Sequence, residues 1–198
     1  MSLQNSKPPQ FQLNNLLSYF RKKQYDNAEK LATSITKKYP NHEYAWKILA
    51  AVQEQTGRVV EAKKANQKAL TIAPKDPEIH LCLGNNLNQL GDFEGAESSY
   101  KKAISLKPDY VQAYFNLGFI LKKMQRFDEA VSIYEKFIEF NPNLALGYNS
   151  LGLTFKELGQ IEKAILYFKK AITLKPDYSL AFFNLGVTLR DTGQKEEA

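Results

Sequence analysis

Cysteine is nearly missing: Cys82 is the only one in 198 residues, so no internal disulfide can form and a reducing compartment is compatible. Histidine is almost as scarce. His42 and His80 lie far apart, and the closeness of His80 to Cys82 does not make a zinc site. Every apolar stretch is interrupted by polar residues well short of the roughly 18 needed to span a bilayer, so no transmembrane helix is expected. A charged start followed by an apolar core is also missing, which excludes an evident secretory signal, and a cytoplasmic location is expected. The glycines fall singly, so there is no phosphate-cradling loop. Gly147, Ser150 and Gly152 miss the spacing of a nucleophile elbow, and Asp92-Phe93-Glu94 reads as a turn and helix start. The acidic pairs Asp128-Glu129 and Glu196-Glu197 fall where they complement a helix dipole. No catalytic residue, cofactor or metal is expected, and the chain does not read as an enzyme.

What the chain does contain is a period. Pro40, Pro74, Pro108, Pro142 and Pro176 stand 34 residues apart, and a period of that size marks a stacked helix–turn–helix array. Other columns keep the same register. Alanine recurs at 28, 62, 96, 130, 164 and 198, a small residue at Ala50, Gly84, Gly118, Gly152 and Gly186, and leucine at 49, 83, 117, 151 and 185. The repeats run 9–42, 43–76, 77–110, 111–144 and 145–178, with an unfinished sixth at 179–198. All of 9–198 reads as one array, and 1–8 as a disordered or vector-derived tail.

Each repeat reads as two amphipathic helices. In the third, Ile79, Leu83 and Leu87 share one face at four-residue steps. Gly91-Asp92 breaks the pattern, and Phe93, Ala96, Tyr100, Ala103 and Ile104 stripe the second helix. Proline ends it by removing a donor and pushing its predecessor out of helical geometry. The small columns let paired helices approach while the aromatics fill the space between repeats. The first repeat departs most, with Gln12, Asn15 and Leu16 in the aromatic, leucine and small columns, as terminal repeats of a solenoid commonly do.

These columns resemble the tetratricopeptide-repeat family, whose pattern runs Trp-x-x-Leu-Gly-x-x-Tyr, then Ala, an aromatic and Pro. Trp46, Tyr114, Tyr148 and Phe182 fill the first aromatic column, with His80 as the odd occupant, and Tyr100, Tyr134 and Phe168 fill the second. The resemblance implies an all-α solenoid wound as a right-handed superhelix, with first helices lining its concave surface. On that pattern the concave positions supply a candidate peptide groove made of Asn85, Gln112, Phe115, Asn116, Phe119, Lys122, Asn149, Leu153, Lys156, Phe183, Asn184, Val187 and Arg190. Cys82 falls on the same surface and reads as a small near-core residue.

Lys122, Lys156 and Arg190 share one column, a basic rail beside an apolar floor, which suits a peptide with apolar side chains and some acidic character. Asn116 and Asn184 resemble the asparagine ladder of O-linked N-acetylglucosamine transferases. They read equally as scaffold or as groups that bond a peptide backbone, since an amide both donates and accepts. The carboxylate clamp of chaperone-tail-binding relatives is not rebuilt in any register: Lys47 fits, but Ala51, Cys82 and Gln112 do not.

Charge is uneven. The first repeat has six Lys/Arg against two acids and the second six against four, which would favour an acidic partner. Lysines on solvated helical faces are commonplace, so nucleic acid is not the favoured partner. The expected function is a non-enzymatic scaffold holding a protein or peptide segment in the groove. The alternative is the substrate-recruiting arm of a larger enzyme of glycosyltransferase, sulfotransferase or hydroxylase type, because Leu-Lys-Pro-Asp-Tyr joints and Asn-Leu-Gly triplets resemble such fusions. The unfinished sixth repeat reads as the end of a fragment, with self-association through its uncovered helix as the expectation.

Overall fold

A computed structural model describes residues 7–191. Residues 1–6 of the expected tail, and the start of the sixth repeat's second helix at Ala198, lie outside the described residues. Among the described residues are eleven helices and no strand. The chain divides into two compact halves, Met1–Pro108 and Asp109–Ala198.

The N-terminal half holds α1 (Gln10–Arg21), α2 (Tyr25–Lys38), α3 (Glu43–Gln55), α4 (Val59–Ile72), α5 (Pro77–Gln89) and α6 (Phe93–Leu106). Each packs on the next, and α1 also touches α3. The C-terminal half holds α7 (Val111–Lys123), α8 (Phe127–Phe140), α9 (Ala145–Glu157), α10 (Ile161–Leu174) and α11 (Ser179–Asp191), again packed in sequence, with α9 also touching α11. First helices therefore neighbour first helices within each half.

The two helices of a pair are joined by a turn with one residue in the left-handed region. Gly57, Gly91 and Gly159 take it at φ 77°, 79° and 71°, and Lys23 and Gln125 at 56° and 59°. A side chain there crowds the following carbonyl, which costs roughly 1–2 kcal/mol. Lys23→Gly and Gln125→Gly are each expected to raise the urea midpoint by the equivalent of about 1 kcal/mol. A fall in midpoint would contradict this reading of the turn.

Two columns find their physical meaning here. At the first aromatic column the ring edge donates to the proline carbonyl six residues earlier. In the N-terminal half Trp46 Nε1 donates to Pro40 at 2.9 Å and His80 Nε2 meets the Pro74 carbonyl at 3.0 Å. In the C-terminal half Tyr148 Oη donates to Pro142 at 3.0 Å. The column thus selects a flat ring with a donor at its far edge, and His80 qualifies as well as Trp or Tyr. Phe182 has no such donor and is 50 % exposed.

The second relation is reciprocal. A Cβ added at Gly84 would lie 2.5 Å from Tyr100, at Gly118 2.7 Å from Tyr134, and at Gly152 2.7 Å from Phe168. Glycine at the small column is the space for the later aromatic. The first repeat inverts the sizes: Leu16 and Ala32 occupy the two columns, and both are fully buried in one core cluster. Its departure is a volume exchange rather than a relaxed terminal surface. The second repeat does neither, having Ala50 and Asn66.

Candidate functional site

In the C-terminal half the first helices α9 and α11 are tied side by side. Asn184 Nδ2 donates to Asn149 Oδ1 at 2.9 Å, and Lys156 Nζ meets Asp191 Oδ2 at 3.1 Å. Lys122 on α7 is half-buried. Burial pushes its ammonium pKa down, and the Glu157 carboxylate on α9 opposes that shift.

The groove residues expected from the sequence differ in environment. Phe119 is 39 % exposed, with Lys123 Nζ 5.5 Å from its ring centroid, and Phe183 is 66 % exposed. Leu153 and Val187 are half-buried, and Arg190 is exposed, 3.6 Å from Asp191. Phe115 turns toward the helix pair, its ring 5.5 Å from Phe137 and 6.1 Å from Tyr134. Gln112 Nε2 donates to Asn116 Oδ1 at 2.9 Å, one turn apart. Asn149 is buried. In the N-terminal half, Asn85 Oδ1 accepts from Tyr100 Oη at 2.9 Å.

The N-terminal half holds a feature that the sequence reading passed over: a pocket of about 330 Å³ reached by α1, α3, α4 and α5. Its wall is largely apolar, including Phe20, Tyr44, Ile48 and Ile79, and Glu54 and Asn66 also line it. The space has a sequence cause. Where the third to fifth repeats place Tyr100, Tyr134 and Phe168, the second places Asn66, so no ring fills the gap. Asn66 Nδ2 donates to Asn86 Oδ1 at 2.8 Å, and Asn86 Nδ2 donates to Glu54 Oε1 at 2.6 Å. Asn66 and Asn86 are 2 % and 0 % exposed. Burial raises the Glu54 carboxyl pKa, and the amides of Asn86 and Asn66 oppose the shift.

Nearby, Lys47 pairs with Asp76 at 3.0 Å and with Glu78. Burial would lower its pKa, but hydrogen bonds to Glu78 and Asp76 outweigh this and leave it raised. Cys82 lines the same pocket. Burial, helped by the Glu54 and Glu78 carboxylates, pushes its thiol up to about 12, so it holds little thiolate at neutral pH. Among the described residues no group of three or more His, Cys, Asp or Glu is placed to hold a metal, and no helix is long and apolar enough to cross a membrane.

The pocket had a readable signal. Its repeat position carries Lys122, Lys156 and Arg190 in later repeats, yet Glu54 in the second, where the aromatic column is also broken.

Comparison with known proteins agrees with the geometry. Tetratricopeptide-repeat models match residues 19–84, 111–144, 145–178 and 167–198, and a model described as TPR repeat matches 84–125. No curated protein matches the chain. A crystal structure of MamA protein superposes with a TM-score of 0.79 at 24 % identity, covering 85 % of this chain and 92 % of that one. YrrB, described as a TPR protein with an unusual peptide-binding site, gives 0.78 at 23 % identity over 87 % and 89 %. A tetratricopeptide repeat protein from Parabacteroides merdae gives 0.83 at 18 % over 92 % and 72 %. At such identities the likeness is one of fold. Repeat models spanning 19–198 agree with helix pairs recurring in register with the prolines, and the chain belongs to the tetratricopeptide-repeat family.

Proposed function

We propose that the chain is a protein-interaction scaffold whose C-terminal half binds an extended peptide or protein segment across α7, α9 and α11. The carrying observation is Phe119 left exposed on α7, the helix of the half-buried Lys122, with Phe183 exposed on α11. A large ring already held by its helix loses little entropy on binding, and a partly desolvated ammonium gains from a carboxylate more than a solvated one does. The partner is therefore a segment with apolar side chains and a neighbouring Asp or Glu. Lys156 contributes less than its column suggests because Asp191 already pairs with it. The peptide-binding site described for the YrrB relative supports the reading by likeness of fold.

Selection of peptides from a random display library on the whole chain tests it. Enriched sequences are expected to be apolar with flanking acids. Phe119→Ala and Lys122→Glu should each weaken the best of them by roughly tenfold or more, as central anchors do. Equal affinity for both variants and the parent chain would overturn the assignment.

A further inference from the structure

We propose that the pocket of the N-terminal half is a second recognition site, a socket for the side chain of a basic residue, lysine or arginine, of a partner polypeptide. It stands apart from the groove reading and calls for the opposite charge in the ligand.

The argument starts from shape. A pocket of about 330 Å³ with a largely apolar wall fits one long side chain rather than a folded surface. Ala51 keeps it open: the same repeat position holds Asn85, Phe119, Leu153 and Val187 elsewhere, and only the methyl of alanine intrudes here.

Charge then selects the head group. Two cations line the wall, but Lys47 is held by Asp76 and Glu78, and Arg21 is exposed. Among the described residues, Glu54 is held by the amides of Asn86 and Asn66. An amide stabilises a carboxylate without neutralising it, so the half-buried charge is left for a cation to compensate. Burial keeps the Glu54 pKa raised, and an arriving ammonium would reverse that shift. A lysine or arginine side chain matches on both counts, since its methylenes lie along apolar walls while its head seeks a carboxylate.

The probe is pentylammonium, a lysine side chain without its backbone, titrated into the full chain with the Asn66 and Asn86 side-chain amide resonances as readout. These resonances are expected to shift saturably, with affinity roughly tenfold above that of neutral pentanol or of pentanoate. Glu54→Gln, close in shape to the parent residue, should abolish the preference for the cation while leaving pentanol binding in place. Ala51→Leu should fill the pocket and remove all three. Equal response to pentylammonium and pentanol, a preference that survives in Glu54→Gln, or no response at all would each overturn the proposal. None of these outcomes bears on peptide capture through Phe119 and Lys122, so the two readings fail separately.

Discussion

Gly152→Leu and Phe168→Ala are each expected to destabilise the chain strongly, and the double variant to be no worse than Phe168→Ala alone. A Cβ at Gly152 meets the Phe168 ring at 2.7 and 2.8 Å and the Ala164 carbonyl at 3.2 Å. Forcing a leucine there costs about 1–3 kcal/mol by overpacking. Phe168 is fully buried, so its truncation alone costs about 3–5 kcal/mol through lost contacts and the cavity left behind. Together the two changes recreate what the first repeat already does with Leu16 and Ala32: the bulk moves from second helix to first. The ring contacts disappear, and only the backbone contact to Ala164 must yield by a few tenths of an ångström. A favourable coupling of roughly 2–3 kcal/mol is therefore expected from urea denaturation of the four proteins. Simple additivity would mean that the two columns are independent and that the first repeat owes its shape to something else. Phe168 suits this test better than Tyr100 or Tyr134, whose hydroxyls bond Asn85 and Ser150, because nothing polar is orphaned.

That exchange also explains how much of the molecule could be read in advance. The period, the helix pairs and the proline exits follow from local chemistry that every repeat restates, so they were legible in the sequence. The column exceptions were harder. His80 is odd in an aromatic column but not in this one, whose requirement is a ring-edge donor aimed at a carbonyl six residues back. The first repeat looked degraded because its two departures compensate across a helix pair. The pocket went unread because consensus columns direct attention to what recurs, whereas a cavity forms where a recurring bulk is withheld, here at Asn66. Positions for a candidate groove follow from the repeat frame, but the pairings among those residues do not. Lys156 with Asp191, and Asn149 with Asn184, join residues 35 positions apart, and only the packing of α9 on α11 decides which side chains remain turned outward.

Asn86 carries the other large effect. It is fully buried and joins two polar groups, accepting from Asn66 and donating to Glu54. Asn86→Leu removes both bonds at once, and although Asn66 remains a donor to Glu54, each partner loses one bond at about 1 kcal/mol or more, so a loss of about 2–3 kcal/mol is expected at neutral pH. The sign of its pH dependence separates this from mere misfit. Burial raises the Glu54 pKa in the folded chain above its ordinary value. The ionised group therefore costs stability, a cost absent below the unfolded pKa and incurred as pH rises through the folded one. Deleting a donor to the carboxylate pushes the folded value higher still and widens that window. The difference between Asn86→Leu and the parent chain should accordingly be largest near about pH 7 and shrink toward about pH 3, where Glu54 is protonated in folded and unfolded chains alike. In a Glu54→Gln background the same substitution should cost an amount that does not change with pH. If the loss were equal at both pH values in the parent background, the leucine would be acting by shape alone, and the amide relay would not be what holds the Glu54 carboxylate in its pocket.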